Sequence, residues 1–247
     1  MIVTSEYVDV KGPAGLIRTL LVRPKTTRRV PGLLLYSDIF QLTPPMVRMA
    51  QRFAGHGFVV AAPELYCRIE PLGTVLDFDR DRQRALDDSD RMKAEDLDAD
   101  GRAILDMLAA RDDVDGLCAG GWCFGGHLAF RAACQPDVLA TACCYGTGIH
   151  NGKLGATPNA GSLERAKDIK GDLLLVWGRN DPHIPAAGRA LIHRSLDDAN
   201  VRFEARLYDA EHAFMRDEGP RFDPAATDSA VAAMIAHFQH TSPSPRA

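Results

Sequence analysis

Gly120-Gly121-Trp122-Cys123-Phe124-Gly125-Gly126-His127 follows an apolar segment and leads into an alanine-rich helical one. Gly121 and Gly125 flank Cys123 at the Gly-x-nucleophile-x-Gly spacing, which lets a strand turn sharply into a helix with the middle side chain held strained and exposed. A thiol so placed is ready to attack. The peptide N–H groups after Cys123 open the helix, and their partial positive charge favours a thiolate and can later hold an oxyanion. The same residues also fit a glycine-rich strand-to-helix turn with a buried cysteine in it, so the surrounding chain has to decide.

Outward from this turn, Val114 to Ala119 reads as the strand before it and Phe124 to Ala133 as the helix after it. Ser5 to Val10 and Leu16 to Val22, separated by Gly12-Pro13-Ala14-Gly15, predict an N-terminal hairpin. Gly32 to Tyr36, Phe58 to Ala62, Val138 to Tyr145 and Leu173 to Gly178 are short apolar runs of the kind that strands covered on both faces show. Pro45 to Ala54 and Ala187 to Asp197 are helical, Arg202 to Leu207 is a strand, and about Pro224 to Phe238 forms the last helix. The charged stretch up to Arg111 carries one apolar stripe of Leu86, Met92, Leu97, Ile104, Leu105 and Leu108, so its charges read as a solvated helical face. Pro63 to Asp79 is irregular and suits a loop over a site, whereas residues 149–170 form a surface connection. Strands alternating with helices imply right-handed crossovers and a mainly parallel sheet, on which ligands lie at the carboxyl ends of the strands.

Composition sets the class. The 247 residues, 46% hydrophobic and 25% charged, suit a single domain over residues 1–247 with a frayed polar tail from about Gln239. A net charge of −4 and a pI near 6.1 argue against a nucleic-acid binder, whose affinity would rest on a basic face. No basic, apolar leader opens the sequence and no run reaches membrane-span length, so a cytoplasmic setting is expected, with no membrane partner. Cysteines 67, 118, 123, 134, 143 and 144 include no C-x-x-C pair and no histidines at zinc-finger spacing. Neither a disulfide framework nor a structural metal is indicated, and most of these thiols are expected to be buried.

Cys123, Asp181 and His212 fall at the ends of successive strands, in the nucleophile, acid, histidine order of the α/β-hydrolase arrangement. The chemistry needs all three: the imidazole exchanges a proton with sulfur, and a carboxylate fixes its tautomer and stabilises its charged form. Each alone has an ordinary explanation. Asp181 before Pro182 could start a turn, and a lone histidine is more often structural. His127 could cap or pack within the fold, since His212 already fills the base position.

At this point the chain resembles the dienelactone hydrolase family of α/β-hydrolases, nearly end to end. Gly121-Trp122-Cys123-Phe124-Gly125-Gly126 is similar to the family's G-x-C-x-G-G turn, Gly178-Arg179-Asn180-Asp181-Pro182-His183-Ile184-Pro185 to its G-x-x-D-x-x-x-P segment, and His212-Ala213-Phe214 to its H-x-F. The resemblance implies one domain with a mostly parallel central sheet and helices on both faces, and no cofactor. Ser37-Asp38-Ile39-Phe40 resembles the family's Q-E-I-F, whose glutamate helps generate the thiolate; here it is Asp38, one methylene shorter, and an Asp there could instead cap the following helix. The backbone N–H groups of Ile39 and Phe124 would form the oxyanion hole. Arg216 and Arg82 match the arginines that bind the substrate carboxylate, and Tyr66 and Tyr145 match positions near the pocket. The family's tyrosine after the Arg82 segment has no counterpart in Ala85-Leu86-Asp87-Asp88.

The expected activity is hydrolysis of a lactone or activated ester with an anionic group, by a protein expected to be monomeric. A non-hydrolytic carrier of small acids and a thiol redox protein are the alternatives. A carrier has no need of an activated nucleophile, and the redox cycle needs a resolving thiol close to Cys123.

Overall fold

The computed structural model describes residues 1–241; residues 242–247, most of the tail expected to fray, lie outside the described residues. The chain opens with a hairpin of β1 (Val3–Gly12) and β2 (Gly15–Pro24). There follow β3 (Val30–Tyr36), α1 (Pro44–Gly55), β4 (Val59–Pro63), α2 (Arg82–Arg91), α3 (Ala94–Ala109), β5 (Val114–Trp122) and α4 (Phe124–Ala132). Then come β6 (Val138–Cys144), β7 (Asp172–Gly178), α5 (Ala186–Asp198), β8 (Phe203–Tyr208) and α6 (Pro224–Thr241). The strands form one eight-stranded sheet in the order β1-β2-β4-β3-β5-β6-β7-β8. β2 alone runs against the other strands, antiparallel to β1 and β4; from β4 to β8 every pairing is parallel.

The burial pattern explains the order. Leu33, Leu34 and Leu35 of β3, Val59 to Ala62 of β4 and Leu173 to Trp177 of β7 are all buried, as central parallel strands covered on both sides must be. β8 lies at the edge, and its four middle residues are exposed. Two adjacent glycines of β5 show which helix covers which face. A Cβ on Gly120 would lie 3.3 Å from Phe238 of α6, whereas one on Gly121 would collide with the carbonyl of Gly125 in α4. Successive strand residues face opposite ways, so α4 and α6 sit on opposite faces of the sheet. Phe53 of α1 stacks edge-on to Phe238 at 6.0 Å and therefore shares the α6 face.

Three expectations change. The charged stretch before Arg111 is two helices, α2 and α3, and Leu86 is 41% exposed instead of joining the stripe that Met92, Leu97, Ile104, Leu105 and Leu108 bury. The inner side of α2 is Ala85, Asp88 and Ser89, which rotates Leu86 away from the core. The last helix runs on through Gln239 and His240 to Thr241, so the first residues of the polar tail are helical. Asp38 does not cap α1, which starts after Thr43.

The strand-to-helix joint is close-packed on every side. A Cβ at Gly125 would collide with the carbonyl of Ser37 and lie 2.7 Å from that of Tyr36, and one at Gly126 would lie 2.6 Å from that of Cys144. Backbone cannot yield as a side-chain tip can. We therefore expect Gly125→Ala to lower stability by at least about 2 kcal/mol in urea unfolding, the cost typical of forced overpacking. Gly55→Ala, at the end of α1 with nothing within 4 Å of its added Cβ, should be neutral or gain a few tenths of a kcal/mol by helix propensity, roughly.

Candidate active site

The residue between β5 and α4 is Cys123, with φ 56° and ψ −119°. A non-glycine residue in this region stores on the order of 1–3 kcal/mol of strain and persists only where its surroundings dictate it. Those surroundings are the glycines just described and a hydrogen bond from the Cys123 N–H to the carbonyl of Cys144 at 3.1 Å. The side chain is half-buried.

Asp181 follows β7 and His212 follows β8, so neighbouring parallel strands deliver both at the same end of the sheet. His212 Nδ1 lies 2.7 Å from Asp181 Oδ2, and Asp181 Oδ1 accepts the His183 N–H at 2.8 Å. Both side chains are buried. This pairing puts the Nδ1 proton toward the carboxylate and leaves Nε2 for the Cys123 thiol, whose influence reaches the ring. Burial by itself would depress the histidine's pKa. The negative charge and hydrogen bond of Cys123, with the hydrogen bond and charge of Asp181, overcome that and raise it from 6.5 to about 9. At neutral pH the ring is therefore an imidazolium facing the sulfur.

The N–H groups of Ile39 and Phe124 have no acceptor among the described residues, and both residues line the same cavity as Cys123. Two free donors beside a nucleophile are what a developing oxyanion requires. Asp38 sits in the loop after β3, where its Oδ1 accepts the Phe40 N–H at 2.9 Å. Its Oδ2 is 3.8 Å from Arg216 Nε, and no hydrogen bond joins it to Cys123. Burial raises the Asp38 pKa, while Arg216 and the Phe40 N–H oppose the shift. The Arg216 guanidinium lies over the Phe78 ring at 4.2 Å and the Phe40 ring at 5.2 Å.

These groups surround a cavity of about 510 Å³, within the range of small-molecule sites. Arg82 stands on its rim at the start of α2. The tyrosines behave differently. Tyr145 is buried beside His212, ring to ring at 5.2 Å, and lines a smaller cavity of about 40 Å³ with Asp38, Trp122 and Arg216. Tyr66, expected near the pocket, lines neither cavity; it is fully buried, with its hydroxyl toward the Ala85 carbonyl at 3.5 Å. The cause is α2, whose small Ala85 lets it settle over the ring. His127 is wholly buried, bound to the Thr147 carbonyl at 2.9 Å and Ser162 Oγ at 2.7 Å. Burial, with the charge of Arg131, lowers its pKa to about 3, and it packs within the fold.

Other wall residues carried no sequence signal strong enough to single them out. Lys153, paired with Asp90 at 3.2 Å, comes from the irregular 149–170 connection. Phe78 comes from the loop after β4, and Arg221 from the segment between His212 and α6. Only His183, inside the segment that delivers Asp181, was within reach of motif reading.

The family model described as "Dienelactone hydrolase family" matches residues 17–242. A Saccharomyces cerevisiae protein provisionally named a carboxymethylenebutenolidase is 35% identical, covering 96% of this chain and 92% of its own length. The carboxymethylenebutenolidase of a Pseudomonas species (strain P51) is 31% identical over 96% of this chain and 94% of its own. Among solved structures, a Klebsiella pneumoniae protein provisionally named a dienelactone hydrolase superposes with a TM-score of 0.82, covering 97% of this chain and 99% of its own. At 22% identity that likeness speaks to the fold.

Because Cys123 supplies both charge and a hydrogen bond to the imidazolium, removing the thiol should release the proton earlier. Between pH 6.5 and about 9 the native histidine holds its proton. In Cys123→Ala it should lose it within that window, and an NMR titration of the His212 ring should show the midpoint moved down. An unmoved midpoint would mean that the thiol and imidazole do not interact.

Proposed function

The chain belongs to the dienelactone hydrolase family, and from that premise we propose a cysteine-dependent hydrolase of a lactone or activated carboxylic ester, of the carboxymethylenebutenolidase type. One observation supports this reading above the rest. A hydrogen-bonded Asp181–His212 pair meets a strained Cys123 in the wall of a cavity, beside two N–H groups that have no acceptor among the described residues.

The reaction follows from the geometry. The Cys123 sulfur attacks the carbonyl carbon, and the electron pair displaced onto oxygen is held by the Ile39 and Phe124 N–H groups. As the tetrahedral species collapses, the C–O bond breaks and His212 gives its proton to the departing oxygen. In the resulting thioester the thiolate is gone, so the charge that kept His212 protonated is gone too. The neutral imidazole can now take a proton from water, whose oxygen attacks the thioester, and Cys123 leaves as thiolate with the imidazolium restored. Asp181 holds the ring through both steps. An enol leaving group suits this site, because its departure needs little protonation, whereas an alkoxide depends more on the acid.

The cations of the cavity, Arg82 and Arg216 among them, favour a substrate with an anionic group. A cytoplasmic, monomeric enzyme is part of the proposal, and six cysteines that all remain free suit a reducing compartment. Among the described residues no helix is long and apolar enough to cross a membrane. A carrier of small acids would leave the strain at Cys123 and the open oxyanion donors without purpose.

Two variants test the mechanism. With p-nitrophenyl acetate or dienelactone, Cys123→Ala should lose acyl-enzyme formation and on the order of a thousandfold or more in kcat/KM, as loss of a nucleophile does. Asp181→Asn should keep the thiol but slow both steps by roughly 10²–10⁴-fold, because the ring loses its orienting carboxylate. Full activity in Cys123→Ala would end the cysteine reading.

A further inference from the structure

Two rings bracket the imidazole of His212. Tyr145 meets it at 5.2 Å and lines the smaller cavity, whereas His183 meets it edge to face at 4.7 Å between centroids and lines the larger cavity with Cys123. His183 thus touches the triad base from the side of the nucleophile's cavity. Its place is fixed by the triad itself. Asp181 Oδ1 accepts the His183 N–H at 2.8 Å while Oδ2 faces His212 Nδ1 at 2.7 Å. One carboxylate therefore sets the position of both histidines, and Pro182 between Asp181 and His183 restricts the backbone of that turn.

The His183 ring is uncommitted. Among the described residues no hydrogen bond or ion pair reaches either of its nitrogens. Ser89 and Asn151, neutral polar side chains of the same wall, are by contrast engaged, Ser89 Oγ donating to the Leu86 carbonyl at 2.8 Å and Asn151 Oδ1 accepting the Lys153 N–H at 3.1 Å. Burial lowers the pKa of His183, and the charges of His212, Arg221 and Arg82 add to this against the opposing charge of Asp181. At neutral pH the ring is therefore neutral, with one nitrogen able to accept a hydrogen bond. Arg221 and Arg82 act in that direction even when His212 has given up its proton. Such an acceptor has a use in the second half-reaction. Water attacking a thioester on Cys123 hands one hydrogen to His212, and its other hydrogen needs a partner. The apolar side chains of Ile39, Phe40, Phe78 and Phe124 in the same wall offer none, and the carboxylates of Asp38 and Asp90 face Arg216 and Lys153.

We infer that His183 is a positioning residue of the hydrolytic step, holding the attacking water against His212 through a hydrogen bond to its free ring nitrogen. One proton of the water passes to His212 Nε2, the oxygen forms the new bond to the thioester carbon, and the C–S bond breaks with its electron pair on Cys123. The second hydrogen stays on oxygen, pointing at His183, until the acid product releases it to solvent. His183 accepts a hydrogen bond and takes no proton. The role falls on the second step, since in the first the nucleophile is sulfur, and it rests on the hydrolase reading.

The test is how the acyl-enzyme divides between two acceptors. With p-nitrophenyl acetate as donor and hydroxylamine added at fixed pH, acetyl-Cys123 passes either to water, giving acetate, or to hydroxylamine, giving acetohydroxamate. Hydroxylamine is the stronger nucleophile and depends less on being held. In His183→Phe, which keeps a ring against His212 and removes both nitrogens, the hydroxamate-to-acetate ratio should rise roughly three- to tenfold, as loss of one hydrogen bond implies. The kcat/KM for p-nitrophenol release, set by the first step, should lose less. His183→Asn and His183→Gln place amide groups near the positions of the two ring nitrogens, and at least one of them should bring the ratio back toward wild type, a rescue that packing alone does not give. His183 is exposed, so these variants leave the core intact. An unchanged ratio in His183→Phe, whatever happens to the rates, means that His183 only props the His212 ring; the inference is then overturned while the hydrolase reading stands. A ratio that rises equally in all three variants assigns the effect to ring size and overturns it too. If wild type forms no acetyl-Cys123 by mass spectrometry, the hydrolase reading itself fails and the role of His183 goes with it.

Discussion

Everything in this molecule depends on how closely β5, Cys123 and α4 can approach β3 and β6. Gly121 touches Gly125, Gly125 touches the carbonyls of Ser37 and Tyr36, and Gly126 touches that of Cys144. Three missing side chains thus bring the start of α4 against the ends of both flanking strands. The consequence is chemical. Ser37 and Tyr36 lead directly into Asp38 and Ile39, so the contact that fixes the turn also brings Ile39 and Phe124 to the wall of one cavity. A looser joint would let Cys123 relax to negative φ and separate the two donors. Strain recurs around the site, where Tyr145 at φ 37° and Ala213 at φ 60° adjoin the triad. Backbone in sparsely populated conformations is concentrated where side chains must be aimed.

Electrostatics then sets the protonation state. A histidine buried as deeply as His127 loses its proton affinity, with a pKa near 3, while His212, almost as buried, holds its proton up to about 9. Burial acts on both in the same direction. What separates them is the neighbourhood, for His127 faces Arg131, a carbonyl and a hydroxyl, whereas His212 faces a carboxylate and a sulfur that can become an anion. The fold therefore uses one histidine as a neutral strut and the other as a charged partner. In the proposed reaction acylation removes the sulfur's charge from that balance and leaves burial opposed by Asp181 alone.

Much of this was legible in the residues. Short apolar runs located the central strands to within a residue or two, because strands buried on both faces have little choice of composition. The glycine spacing and the order Cys123, Asp181, His212 picked out three residues that the fold does bring together, because such a turn admits few alternatives. Long side chains arriving from loops were harder. Tyr66 could not be placed without knowing that α2 covers it, and Leu86 fitted a helical stripe until the break after Arg91 reset the phase.

The substitution of aspartate for the family's glutamate at Asp38 can be understood from the same distribution of charge. The shorter side chain folds back onto the Phe40 N–H and rests near Arg216, and the guanidinium in turn lies on the Phe78 and Phe40 rings. Burial would favour a neutral Asp38, but Arg216 favours its anion, so each of the two makes the other tolerable in a largely apolar wall. The Asp38 carboxylate and the Arg216 guanidinium thus offset one another in the cavity wall. The length of one side chain therefore decides where the carboxylate of residue 38 comes to rest, on the Phe40 N–H and beside Arg216 with no hydrogen bond to the Cys123 thiol.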